Sequence, residues 1–314
     1  MDRINIDDLF DRRLTFPDPA AKRRLGRLVG IDEAKARLTK LLAVLVNPDG
    51  LKAWAHKHHR GASALLDLVE RRPPLAVLAG DVGTGKTELA ETVGDAVARQ
   101  EGIEVTLYPL SLATRGSGRV GEMTRLLSAA FDETVSASQR MKRSHGKAGG
   151  GVILLVDEAD ALTQSRDAVQ MHHEDRAGVN AFIRGVDRLA EQRLPAAVIL
   201  CTNRLGSIDP AVRRRAAEIF EFARPNEAQR RAVIDPALEE TKFTKQQIDR
   251  LVDLTGPVAG CDYGFTYSDL TQRLLPAMVL DVYPDGPVTY EGALKILASL
   301  SATPPFRGTN GGTL

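Results

Sequence analysis

"GDVGTGKT" (80–87) decides how the rest of this chain is read. It follows an apolar run, "LAVLAG" (75–80), and precedes a segment in which Leu89, Val93, Ala96 and Val97 share one face of a helix. Strand, glycine-rich turn and helix, in that order, is the setting that G-x-x-x-x-G-K-[ST] needs in order to bind phosphate. Gly80, Gly83 and Gly85 let the backbone curl so that its N–H groups face phosphate oxygens, at a helix start that favours an anion. Lys86 is expected to reach the β- and γ-phosphates of ATP and Thr87 to ligate Mg²⁺. Val82, Thr84 and Glu88 complete the expected nucleotide-binding stretch.

Working outward, four more short β-branched or apolar runs read as strands: "EVTLYPL" (104–110), "VILLVD" (152–157), "AAVILCTN" (196–203) and "EIFEF" (218–222). Helical periodicity fills the gaps, with Met123, Leu126, Leu127, Ala130 and Phe131 on one face and Val179, Phe182, Ile183, Val186 and Leu189 on another. The predicted fold is α/β: a P-loop NTPase with a parallel five-stranded sheet and helices on both faces. Beyond about Pro225 the strand signals stop while helical periodicity continues, which predicts a small all-helical lid. The expected division is a short N-terminal segment (1–28), a large α/β ATPase domain (29–224), a helical lid domain (225–302) and a disordered tail (303–314).

"ILLVDEAD" (153–160) places carboxylates where an apolar strand emerges, at the sheet edge where ligands bind in such folds. Asp157 is the expected Mg²⁺ holder, and Glu158 is placed to polarise the attacking water. "VILCTN" (198–203) ends a second apolar strand on Thr202 and Asn203. An amide there serves to orient the hydrolytic water or contact the γ-phosphate, or simply to make the turn. "DPAVRRR" (209–215) opens with a good N-cap and first-turn pair, so a short helix is expected. Successive helical side chains turn by about 100°, so Arg213, Arg214 and Arg215 cannot all enter one site. A polyanion patch, a solvated face and a part in an active site all remain open for them.

The bulk numbers exclude rather than identify. Over 314 residues the formal net charge is +1, so nothing global points to nucleic acid or an anionic membrane. Two cysteines give no disulfide framework, and runs such as "VILLV" (152–156) are far too short to cross a bilayer. With a charged start, "MDRINIDDLFDRR", that lacks the apolar stretch of a signal peptide, a cytoplasmic protein is expected. The histidines of "HKHHR" (56–60) are adjacent residues that seldom converge on a metal, and Trp54 beside them is expected to pack on the core.

Taken together, these motifs resemble the AAA+ ATPases, in particular the AAA clade, from about Leu28 to the final helix. "RLVGIDEAK" (27–35) is similar to the segment before the phosphate loop, which implies that backbone at Val29 and Gly30 flanks adenine. The resemblance assigns Asn203 to the sensor-1 position and Arg214 and Arg215 to arginine fingers, with Arg213 solvated or salt-bridged. Fingers in that stretch act on a neighbour's nucleotide, which implies a homo-oligomeric ring, by family pattern a hexamer. Within the clade, "VDEADALTQSRDAV" (156–169), "VNAFIRGVDRLA" (179–190), "ILCTNRLGSIDPAV" (199–212) and "QRLLP" (272–276) resemble the pachytene-checkpoint group that remodels HORMA-domain proteins.

That resemblance implies ATP-driven remodelling of a HORMA-domain client and, because the composition looks bacterial, a place in antiphage signalling. Two departures stand out. The first pore loop corresponds to "TRGSGRVGE" (114–122), where Arg119, Val120 and Gly121 sit in place of the usual aromatic grip. A sensor-2 arginine is missing from "YSDL" (267–270), with Arg273 one turn later as a substitute. "MHHED" (171–175) falls on the second pore loop, so His172 or His173 is placed to touch a client. The alternative is a nucleic-acid-associated motor or loader, for which Arg115 and Arg119 are the loop residues in favour.

Overall fold

A computed structural model of the chain describes residues 9–61, 63–112, 122–142, 149–162, 173–258 and 260–305. The chain divides into two compact units. One takes the residues up to Arg27 together with Glu33–Ala79 and Thr87–Glu221, and the other takes Leu28–Asp32, Gly80–Lys86 and the chain from Phe222 on.

The first unit is built on the sheet. Its strands are β1 (Leu14–Phe16), β2 (Leu75–Gly80), β3 (Glu104–Ser111), β4 (Gly150–Asp157), β5 (Ala196–Thr202) and β6 (Glu218–Phe222), in the spatial order β1-β3-β4-β5-β2-β6. β3, β4, β5 and β2 run parallel: Ser111 lies opposite Asp157, Val156 opposite Leu200 and Ala79 opposite Thr202. The four parallel strands therefore end on one edge, and Asp157 and Glu158 emerge there. Every residue of β5 and all but the last of β2 and β4 are buried, so both faces of the sheet are covered.

The helices in chain order are α1 (Pro19–Gly26), α2 (Asp32–Val46), α3 (Pro48–His59), α4 (Ser63–Glu70), α5 (Lys86–Glu101), α6 (Glu122–Met141), α7 (His173–Glu191), α8 (Pro210–Arg213), α9 (Glu227–Leu238), α10 (Lys245–Leu254), α11 (Leu275–Leu280) and α12 (Tyr290–Ser299). On one face of the sheet α6 and α7 pack through Leu127, Phe131 and Val135 against Val179, Phe182 and Val186, sharing a core with Leu154, Val156, Val198 and Leu200. Phe131 and Phe182 meet edge to face with centroids 5.7 Å apart.

The five expected strands are all present, and the sheet has a sixth. β1 comes from the N-terminal segment and pairs antiparallel with β3, Leu14 opposite Leu107 and Phe16 opposite Val105. Three residues are too few to show a period, so only the pairing reveals the strand. Phe16 is fully buried, and Phe10 stacks on Tyr108 at 4.6 Å, which fastens this segment to the sheet edge. Trp54 departs from expectation: it is 44% exposed on α3 and lies against His59, with centroids 4.7 Å apart, rather than in the core. It stands next to Ala55, the buried residue of that helix, with its side chain turned about 100° from it.

The second unit has a separate helical core of Ile234, Leu238, Leu251, Val252, Phe265, Leu270, Leu274, Met278, Ala293 and Leu297. Its first two helices begin with full capping boxes, Asn226 with Gln229 and Thr244 with Gln247. Asp269 is its buried hub. The carboxylate accepts from Thr266 N (3.0 Å), Thr303 N (3.0 Å), Thr303 Oγ1 (2.6 Å) and Arg273 Nη1 (2.7 Å). Burial pushes its pKa up, but these four donors outweigh burial and hold it at about 2. Thr303, the first residue of the expected tail, is thus bonded into the unit, and residues 306–314 lie outside the described chain.

Candidate functional site: a phosphate loop and a carboxylate edge

The loop after β2 adopts the conformation its glycines permit. Gly80 has φ +152°, and a Cβ there would stand 2.1 Å from the Phe222 carbonyl oxygen, so no other residue fits. Lys86, 6% exposed, donates through Nζ to the Asp81 carbonyl at 2.7 Å, and Thr84 Oγ1 donates to the same oxygen at 2.7 Å. Asp81 Oδ1 accepts from Val82 N at 2.9 Å, while Oδ2 accepts from Arg224 Nε at 2.6 Å. Ser268 N donates to the Gly83 carbonyl at 3.1 Å. Val82 is exposed on the outside of this turn.

In the same unit, Gly30 turns with φ +76° and its carbonyl accepts from Gln229 Nε2 at 2.8 Å. A Cβ at Gly30 would approach the Tyr267 hydroxyl to 2.5 Å. That hydroxyl is buried without a hydrogen-bond partner, and burial followed by the charge of Asp32 pushes it up to about 12. The positive φ of Gly30 and the close approach of the Tyr267 and Gln229 side chains make this a position for glycine.

In the sheet unit, Thr87 is exposed on the first turn of α5. Glu88 is spoken for: Arg24 of α1 grips it in a bidentate pair (Nε–Oε1 2.7 Å, Nη2–Oε2 2.7 Å) and also reaches Glu91 at 2.7 Å. Those hydrogen bonds, despite partial burial, hold the Arg24 guanidinium still more firmly in its charged form.

The carboxylate edge is organised by two residues that sequence reasoning passed over. Glu158 sits in the left-handed region with φ +52°, which projects its exposed side chain off the end of β4. Its Oε2 accepts from Ser111 Oγ, the last residue of β3, at 2.6 Å. Glu158 N donates to Asp157 Oδ1 at 2.8 Å. Asp160 gathers the end of β5: Oδ1 accepts from Thr202 Oγ1 (2.6 Å) and Asn203 N (3.0 Å), and Oδ2 from Asn203 Nδ2 (3.3 Å). Because its amide nitrogen is turned to Asp160, the Asn203 side-chain oxygen is directed away from that carboxylate. The second aspartate of "DEAD", Asp160, was the signal for this role, and the β3–β4 register, Ser111 opposite Asp157, was the geometry needed to see Ser111.

Asp209 caps α8 through Ala211 N at 2.7 Å, and the three arginines part company after it. Arg213 and Arg214 are exposed. Arg215 is clamped by Asp187 of α7, with Nε–Oδ1 2.7 Å and Nη2–Oδ2 2.9 Å, and that pairing raises its pKa despite some burial. Arg273 is committed to Asp269 and to the Ser301 carbonyl at 3.1 Å. Arg115, Arg119, Val120, Gly121 and His172 lie outside the described residues.

Residues 76–224 match the model of the ATPase family associated with various cellular activities, AAA. CD-NTase-associated protein 6 of Escherichia coli (strain MS 115-1) is 59% identical over 302 residues, covering 96% of this chain and 97% of that protein. The chain belongs to the AAA ATPases. Among solved structures, a chain of the E. coli MS115-1 HORMA:CdnC:Trip13 complex aligns with a TM-score of 0.88 at 57% identity, over 97% of this chain and all (100%) of that one. The Rhizobiales Trip13 structure aligns with a TM-score of 0.72 at 56% identity, over 94% of this chain and 100% of that one. This AAA ATPase is therefore of the Trip13-like bacterial kind, and membership of the family carries nucleotide binding and ATPase activity in general. Among the described residues no helix is long and apolar enough to cross a membrane.

Proposed function

We propose that this AAA ATPase hydrolyses ATP with Mg²⁺ and uses the cycle, as a homo-oligomeric ring, to remodel a HORMA-domain protein in bacterial antiphage signalling. The observations that carry the hydrolytic part are the exposed Glu158 at the end of β4 and Asn203, held by Asp160, at the end of the neighbouring β5. A site that only bound nucleotide needs neither a projecting carboxylate nor an amide held at two points. The client is inferred from the likeness to the chain in the HORMA:CdnC:Trip13 complex.

In this reading Lys86 and the loop amides bind the β- and γ-phosphates. Thr87 and Asp157 offer the hard oxygen ligands that Mg²⁺ prefers, and the ion, when bound, offsets phosphate charge. Glu158 takes the proton of the attacking water once Ser111 releases its oxygen, and Asn203 orients that water. Arg214, exposed at the end of α8, is the side chain free to serve as a finger toward another subunit. Arg215 anchors α8 to α7 through Asp187 and so holds Arg214 in place. Arg119, Val120 and Gly121 are proposed to meet the client in the ring's pore.

The test is an ATPase assay with and without a purified bacterial HORMA-domain protein, with the client's conformer followed by native chromatography. Stimulated turnover and ATP-dependent conversion are expected. Stimulation by DNA alone, with no response to the protein, replaces this reading with a nucleic-acid motor.

A further inference from the structure

We infer that Arg224 is a positioning residue that ties the lysine of the phosphate loop to the helical unit through Asp81. Arg224 follows β6 and precedes the capping box that opens α9, and its side chain is only 14% exposed. Its Nε lies 2.6 Å from Asp81 Oδ2, its Nη1 donates to the Gly264 carbonyl at 2.7 Å, and its guanidinium carbon stands 4.9 Å from the Tyr263 ring centroid. All of these groups belong to one compact unit.

The consequence lies one bond further on. The Asp81 carbonyl is the acceptor for both Lys86 Nζ and Thr84 Oγ1, at 2.7 Å each. Fixing the Asp81 carboxylate from one side therefore fixes the direction of the carbonyl that sets where the ammonium rests. The chain from the Gly264 carbonyl to Arg224, Asp81 and Lys86 is continuous, and the links between residues are hydrogen bonds or ion pairs. Taking an arginine and a carboxylate largely out of water is costly, and what it gives in return is defined geometry rather than net stability. Lysine cannot replace this arginine, because a single ammonium cannot face Asp81, Gly264 and the Tyr263 ring together. The lid segment 263–264 thereby sets the readiness of Lys86 for phosphate.

This inference rests on the reading that Lys86 binds nucleotide phosphate. The experiment measures KM and kcat for ATP hydrolysis on full-length Arg224→Ala, Arg224→Lys, Asp81→Ala and the Arg224→Ala/Asp81→Ala double variant. Lys86→Ala serves as the control, and thermal melting confirms that each variant folds. The two alanine variants are expected to raise KM about tenfold with kcat little changed, Arg224→Lys to behave like Arg224→Ala, and the double variant to add nothing further. Additive effects, an unchanged KM, or a fall in kcat alone in folded variants overturns the positioning role. If Lys86→Ala itself leaves ATP binding intact, the fault lies instead with the reading of the phosphate loop.

Discussion

The phosphate loop and the carboxylate edge adjoin the same sheet in sequence, yet they are held by different means. Residues 80–86 take their support from the helical unit, through the Arg224 side chain on Asp81 and the Ser268 backbone N–H on the Gly83 carbonyl. Asp157, Glu158 and Asn203 take theirs from within the sheet unit, through Ser111 and Asp160. In the proposed function, the grip on phosphate and the chemistry at phosphate are thus assigned to separate groups of residues. Changes in the first should move affinity, and changes in the second should move turnover.

The sharpest way to break this comparison is through the arginines. Arg214→Ala is expected to lower kcat about 10³- to 10⁵-fold with ATP affinity preserved, because a finger acts only on charge developing in the transition state. Arg215→Ala is expected to act indirectly, by freeing α8 from Asp187, and so to be mimicked by Asp187→Ala. Steady-state kinetics on the three variants decide between a finger and an anchor. Equal losses for Arg214→Ala and Arg215→Ala, with none for Asp187→Ala, would make Arg215 a second finger.

A smaller effect is expected at Asp160. Asp160→Ala removes three hydrogen bonds, two from Asn203 and one from Thr202, and should lower kcat about tenfold with KM unchanged. The residues behind this prediction divide by how far their partners lie along the chain. The phosphate loop, the five long strands and the acids after β4 are local patterns, and they were legible. β1 was not, because "LTF" shows no period and becomes a strand only beside β3. Ser111, and Asp187 as the partner of Arg215, were likewise invisible, since each matters through a contact with a residue distant in sequence. The same holds for Arg224 on Asp81, which one-dimensional motifs cannot express.

The smallest effect sharpens the other side of the comparison. Asp269 is held at about 2, below its ordinary 3.8, so its bonds stabilise the helical unit fully above about pH 5 and lose that contribution as the pH falls through 2. The shift corresponds to about 2 kcal/mol. Asp269→Asn is expected to lower the melting temperature at neutral pH and to flatten its fall on acidification, read by circular dichroism between pH 6 and about 2. An unchanged acid profile would remove Asp269 as the hub.

The account stands or falls on Glu158. ATP binding at equilibrium and ATP turnover should be measured side by side on the wild type and on Glu158→Gln. The account predicts equal affinity and a loss of turnover of about 10²- to 10⁴-fold. Wild-type turnover in Glu158→Gln, or loss of binding together with turnover in a folded variant, would contradict it.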